Sequence, residues 1–112
     1  MMTGKNYIGN KQSGQGSKTY RTFNPQLNIE NDTLFTEATP QEIDEAVHLA
    51  SEAFKTFRTV SGEKKALFLN TIADEILALD DELIQAFCME SGLPEGRAKG
   101  ERGRTVFQLR SF

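Results

Sequence analysis

Thr39-Pro40-Gln41-Glu42 splits this chain into two periodicities, and that split constrains the fold more than any other feature. The four residues form a capping box with proline at the first helical position. The Thr39 hydroxyl can accept from the amide of Glu42, and the Glu42 side chain can reach back to the amide of Thr39. Upstream, short β-prone runs are separated by turn residues. Downstream, apolar residues recur at three- and four-residue spacing to the end of the chain. The class that follows is α+β, with an N-terminal β-hairpin and short strand followed by about four helices.

Upstream of the switch, Lys5–Gly9 and Thr19–Phe23 read as the two strands of a hairpin around the polar stretch NKQSGQGSK, which carries Gly14 and Gly16. Asn24-Pro25 marks a turn, and Thr33–Glu37 reads as a third short strand. Downstream, Ile43, Ala46, Val47, Ala50, Phe54 and Phe57 form one stripe. Ser61 opens a second helix with Leu67, Phe68, Ile72, Ala73 and Ile76 on its apolar side. Asp80-Asp81 caps a third, with Leu83, Ile84, Phe87 and Cys88 inward. Gly92, with Pro94 beyond it, stops that helix, and Pro94-Glu95 starts the fourth. Short turns make the helices antiparallel neighbours. Their stripes are wide, as if part of the apolar surface is meant for a sheet outside this sequence. In the last segment Val106, Phe107, Leu109 and Phe112 keep roughly helical spacing to the final residue without a Gly, Asn or Pro stop. The expectation is a helix whose partner, and whose chain, continue.

Composition narrows the function classes. At 112 residues the chain is the size of one small domain, which buries only about two thirds of its unfolded surface. The net charge of −3 argues against nucleic acid and anionic membranes as bulk partners. A single cysteine, Cys88, makes no internal disulfide and fits a reducing, cytoplasmic setting. The opening MMTGKNYIGNKQSGQG lacks the apolar core of a signal peptide, and no apolar run is long enough to span a membrane. With no secretory signal, the sequon Asn31-Asp32-Thr33 reads as chance.

Several residues invite a functional reading. Gly14-Gln15-Gly16-Ser17-Lys18-Thr19 faintly suggests a phosphate loop, but Ser17 separates glycine from lysine and a strand follows instead of a helix. Cys88 sits between Phe87 and Met89 on the apolar side of its helix, the place of a structural thiol. His48 falls off the apolar stripe and has no neighbouring ligand for a metal. The pairs Asp44/Glu45, Asp74/Glu75 and Asp80/Asp81 are adjacent on helices, so their carboxylates diverge and read as caps and solvated faces. The basic segment Arg97, Lys99, Arg102, Arg104 and Arg110, interleaved with Glu95 and Glu101, is the strongest candidate by composition. Arginines at helical spacing can grip carboxylates or phosphates bidentately, or pair with acids of neighbouring helices. Gly96, Gly100 and Gly103 cost that helix about 1 kcal/mol each relative to alanine, a cost tolerated where a backbone must approach something closely.

The run Glu90–Phe112, ESGLPEGRAKGERGRTVFQLRSF, resembles the N-terminal part of the aldehyde dehydrogenase superfamily. Within it the resemblance is to the 2,5-dioxovalerate (α-ketoglutaric semialdehyde) dehydrogenases and the related fatty-aldehyde dehydrogenases. The earlier pieces agree in order: NYIGN followed by TFNP looks like the opening hairpin and its Asn-Pro turn. TPQEIDEAVHLASEAF, SGEKKALFLNTIADEIL and the acid-led helix ending in ESGLP look like the first three helices. The resemblance covers essentially the whole chain. It implies that residues 1–38 are the N-terminal hairpin and strand segment, and that residues 39–112 are the helical segment of an incomplete NAD(P)-binding α/β domain.

What the resemblance further implies is a scaffold piece of an enzyme that oxidises a semialdehyde such as 2,5-dioxovalerate to the dicarboxylic acid with NAD or NADP. The parent is a cytoplasmic homo-oligomer without nucleic-acid or membrane partners, and the partner of this segment is the remainder of the fold. In the family a cysteine thiolate attacks the aldehyde, and an asparagine and the cysteine's own amide hold the oxyanion. Hydride passes to the nicotinamide, and a glutamate activates water. Those motifs lie beyond these 112 residues, so no catalytic, cofactor-binding or metal residue is assigned here, and Cys88 is not in the nucleophile's context. The fourth helix borders the route of aldehyde entry, with Arg104 or a neighbour one turn away beside it. The alternative is a free-standing helical interaction module that uses its basic last helix on an acidic partner; a third reading makes the chain catalytic alone.

Overall fold

A computed structural model describes residues 2–112. Among them run four strands, β1 (Asn6–Ile8), β2 (Lys11–Ser13), β3 (Thr19–Asn24) and β4 (Ile29–Thr36). Four helices follow: α1 (Pro40–Phe57), α2 (Gly62–Ala78), α3 (Asp80–Ser91) and α4 (Glu95–Arg110). The chain gathers into two compact units. The first joins the stretch up to Thr22 to Asp32–Thr59, and the second joins Phe23–Asn31 to Val60–Phe112.

In the first unit β1 pairs antiparallel with β2, with Tyr7 opposite Gln12 and Ile8 opposite Lys11. This corrects the expected pairing of 5–9 with 19–23. The reason lies in Gly9 and Asn10, whose φ angles of 56° and 67° are both positive, as a two-residue type I′ turn requires. The chain reverses there at once, so the glycine stretch after it is not a hairpin tip. It runs along the end of β4 instead. The Glu37 amide donates to the Lys18 carbonyl at 2.9 Å, and the Glu37 carbonyl occupies the space a side chain on Gly16 would need. The Thr36 amide likewise donates to the Gly4 carbonyl at 2.9 Å.

The capping box that opens α1 forms as expected. Thr39 Oγ1 accepts from the Glu42 amide at 3.1 Å, and Glu42 Oε1 accepts from the Thr39 amide at 3.0 Å. Glu42 is only 1 % exposed, and its other oxygen accepts from the Ser13 hydroxyl. The Ser13 bond, with help from the Thr39 and Gln15 backbones, holds this carboxyl below the usual glutamate value. The face of α1 turned to the hairpin therefore carries Glu42, half-buried Ala46 and Leu49, whose Cδ1 lies where a side chain on Gly9 would stand. The stripe read from periodicity is a different one. Ile43, Val47 (66 %), Phe54 and Phe57 stay exposed.

β3 and β4 pair with each other across the turn 25–28, so the third strand begins at Ile29 rather than Thr33. Asn24 shapes that turn: its Oδ1 accepts from the amides of Gln26 at 3.0 Å and Leu27 at 3.1 Å, an Asx turn. Near the other end of the pair Tyr20 and Phe35 stack at 5.6 Å between ring centroids.

The second unit is built on α2, α3 and α4, with α4 lying along α2 and touching α3. Ser61 caps α2 by accepting from the Lys64 amide at 3.3 Å. α3 departs from expectation at its start: its cap is Leu79, with no side-chain cap bond, and Asp80 takes a φ of 43°. Its acids still crowd the first turn, where the helix dipole favours them. The end is as expected, with Gly92 left-handed at φ 72° and its amide donating to the Cys88 carbonyl at 2.9 Å. Pro25 and Gln26 pack against Gly92, and Asn31 Nδ2 donates to the Met89 carbonyl at 3.4 Å. Ala73, Ile84, Ala98 and Val106 form the buried core of this unit. Leu67 and Phe68 stand outside it, because the inward face of α2 is Leu69, Ile72, Ala73 and Ile76. In the first unit α1 packs on β1.

Candidate functional site

α4 has two faces of opposite character. Successive helical residues turn by about 100°, so Ala98, Arg102, Val106 and Leu109 share one side, and all four are buried or half-buried. Gly96, Gly100, Gly103 and Phe107 fall on the other. A side chain added at any of those glycines would meet nothing within 4 Å, and Phe107 is 72 % exposed. No neighbour among the described residues requires these glycines.

Three of the five bases sit in close ion pairs, and a fourth, Arg102, has only a long one. Lys99 meets Glu95 at 2.8 Å and Arg97 meets Glu101 at 3.4 Å, both one turn apart on α4. The first pair, through its hydrogen bond, raises the lysine's pKa and lowers the glutamate's. Arg110 reaches across to Asp74 of α2 at 2.7 Å, and Arg102 approaches Asp80 at 3.8 Å. Arg104 is the exception. It is exposed, makes no hydrogen bond or ion pair among the described residues, and lies one turn beyond Gly100 at the edge of the glycine face.

On the inward side, α2, α3 and α4 leave a cleft of about 510 Å³. Its floor is apolar, from Ile76, Leu79, Leu83, Ile84 and Phe87, and Arg97, Glu101, Arg102 and Thr105 of α4 form the polar wall. Arg104 is not part of that lining. Sequence reading treated the five bases as one patch. Their division between the two sides follows from helical geometry, but the acids that Arg102 and Arg110 meet lie on other elements and carry no local signal.

The remaining candidates take bland places. The glycine stretch 14–18 leads into β3 rather than a helix. Both sheets are two-stranded, each joined by a short turn, so the described residues assemble no parallel strand, glycine turn and helix of a dinucleotide cradle. The described residues alone therefore form no complete NAD(P) cradle. Cys88 is half-buried, in a depression shared with Gln26, Asp81, Gln85 and Glu95, whose lining has no histidine, lysine or arginine to activate a thiol. His48 is exposed on α1, and so are Asp44, Glu45, Asp74, Glu75, Asp80 and Asp81 on their helices. No group of three potential metal ligands comes together among the described residues, and no helix among them is long and apolar enough to cross a membrane.

Comparison with known proteins agrees with this frame. The aldehyde dehydrogenase family profile matches residues 6–112. The chain is 41 % identical over 112 residues to alpha-ketoglutaric semialdehyde dehydrogenase 2 of Azospirillum brasilense, covering 99 % of this chain and 21 % of that protein. It is 33 % identical over 109 residues to alpha-ketoglutaric semialdehyde dehydrogenase of Acinetobacter baylyi, covering 97 % and 21 %. The chain thus spans about a fifth of the length of these relatives. Its fold matches a NAD-dependent benzaldehyde dehydrogenase from Corynebacterium glutamicum with a TM-score of 0.88 at 16 % identity, over 99 % of this chain and 24 % of that one. It also matches aldehyde dehydrogenase 21 from Physcomitrella patens, solved with the reaction product succinate, with a TM-score of 0.83 at 24 % identity. That match covers 96 % of this chain and 22 % of the other.

Proposed function

Since the chain belongs to the aldehyde dehydrogenase family, we propose that it serves as N-terminal scaffold in an NAD(P)-dependent oxidation of a carboxylated semialdehyde such as 2,5-dioxovalerate. In this reading residues 39–112 are the helical segment of an NAD(P)-binding domain, residues 1–38 are the hairpin segment before it, and the setting is a cytoplasmic homo-oligomer. The catalytic cysteine, general base and oxyanion asparagine lie outside these residues. The substrate class rests on kinship with two alpha-ketoglutaric semialdehyde dehydrogenases.

Arg104 is the one residue given a role toward substrate, at the aldehyde's route of entry. The observation that carries it is a guanidinium unpaired among the described residues, at the edge of a helix face kept clear by Gly96, Gly100 and Gly103. An arginine left without a protein partner suits a carboxylate bidentately. The test is a chimera in which this chain replaces the matching segment of the Azospirillum brasilense relative. Arg104→Glu should raise KM for 2,5-dioxovalerate at least about tenfold, the loss of one charge-assisted contact. KM for a neutral aldehyde such as propanal should stay nearly constant. Equal shifts for both aldehydes would remove Arg104 from the route.

The module reading has no observation in its favour. Four of the five bases it would offer to an acidic partner already face acids of this chain.

A further inference from the structure

We propose that the cleft between α2, α3 and α4 binds an amphipathic carboxylate, a medium-chain acyl anion, with its tail on Leu83, Ile84 and Phe87 and its carboxylate on Arg102. The proposal needs only the geometry of the second unit and is independent of the dehydrogenase reading.

The argument starts from Arg102. Its side chain is only 18 % exposed, so much of its hydration is lost. Among the described residues nothing replaces that hydration well. Nη1 lies 3.5 Å from the Asp80 carbonyl and 3.8 Å from its carboxylate, and that carboxylate is itself 80 % exposed. Charge-assisted contacts of good geometry are much shorter, about 2.7–2.9 Å. A guanidinium carries a planar fork of N–H donors, and a largely buried one with only long contacts is short of acceptors. The Asp80 carboxylate stays mostly in solvent, so it compensates the guanidinium only weakly.

The wall opposite sets the rest of the ligand. Ile76, Leu83, Ile84 and Phe87 offer an apolar floor, and the cleft of about 510 Å³ is of the size that holds small molecules. Apolar floor and under-served cation together select a ligand with a tail and one carboxylate. A neutral alcohol would leave the guanidinium as it is. Arg97 and Glu101 of the same wall pair with each other at 3.4 Å, so Arg102 sets the wall's net positive charge and disfavours a cationic head.

Decanoate, decanol and decyltrimethylammonium, titrated into the 112-residue chain by calorimetry, separate the cases. Decanoate is expected to bind at least about tenfold tighter than decanol, with the ammonium weakest. NMR shifts should centre on the side chains of Ile84 and Phe87. Arg102→Gln should weaken decanoate about tenfold and leave decanol unchanged, while Lys64→Gln, an exposed charge elsewhere in the unit, changes neither. Equal binding of decanoate and decanol, shifts centred on the exposed stripe of α1, or an unaffected Arg102→Gln would each overturn the proposal. Should Arg102→Gln fail to fold by circular dichroism, the three-ligand comparison and the shift map on the unsubstituted chain decide alone.

Discussion

Two glycines of the second unit should respond to alanine with opposite signs. Gly92 ends α3 at φ 72°, a conformation that costs a residue with a Cβ about 1–2 kcal/mol. The added carbon would also lie 2.7 Å from Pro25 Cγ and 3.3 Å from the Gln26 amide nitrogen. A proline ring gives way little, and overpacking of this kind costs about 1–3 kcal/mol. With some relaxation shared between the two, Gly92→Ala should lose about 3 kcal/mol. Gly100 sits inside α4 with no atom within 4 Å of an added Cβ. There alanine only removes backbone entropy from the unfolded chain, so Gly100→Ala should gain about 1 kcal/mol. Urea unfolding followed by far-UV circular dichroism reads both. At a slope of about 1.5 kcal/mol per M, the midpoints of the two variants should differ by more than about 2 M. A Gly92→Ala variant within about 0.5 kcal/mol of the unsubstituted chain would refute the packed left-handed cap. A destabilised Gly100→Ala would mean that the glycine face of α4 is not open.

Other outcomes follow from the same contacts. The Glu42 carboxyl is held below its ordinary value by Ser13, Thr39 and Gln15. Its contribution to stability is therefore complete above the unfolded pKa of about 4.3 and lost as pH falls through the lower folded value. Glu42→Gln should flatten that acid limb, measured as urea midpoints between about pH 3 and 6, and an unchanged limb would contradict the network. The exposed Ile43, Val47 and Phe54 of α1 should make the chain bind a hydrophobic dye and self-associate at micromolar concentration. Val47→Glu with Phe54→Glu should reduce both, and a dye-silent monomer that melts cooperatively would favour the module reading.

Legibility in this sequence tracked how local each determinant is. The Thr39–Glu42 box, the Ser61 cap, the Gly92 stop and the Pro94 start each involve residues within one turn, and all formed where read. Strand pairing is not local. The stretch with Gly14 and Gly16 was read as the turn and Gly9 as part of the strand, whereas the positive φ of Gly9 and Asn10 shows that the chain reverses there. Asp80-Asp81 did not cap α3 because the helix begins one residue earlier than read, with Leu79 at the cap position and Asp80 already its first residue. The stripe of α1 failed for another reason. Periodicity shows which side of a helix is apolar, not what lies beside it, and the hairpin lies beside Glu42 and Leu49. In α4 the candidate site was half legible: the bases and glycines stand out in sequence, whereas the pairing of Arg102 with Asp80 and of Arg110 with Asp74 spans separate helices.

The scaffold claim is tested most directly by the activity of the chimera carrying this chain in place of the matching segment of the Azospirillum brasilense relative. The expected result is NAD(P)-dependent oxidation of 2,5-dioxovalerate with kcat/KM within about tenfold of the intact relative, a loss of no more than about 1.4 kcal/mol in transition-state stabilisation. A soluble, folded chimera without dehydrogenase activity would contradict it.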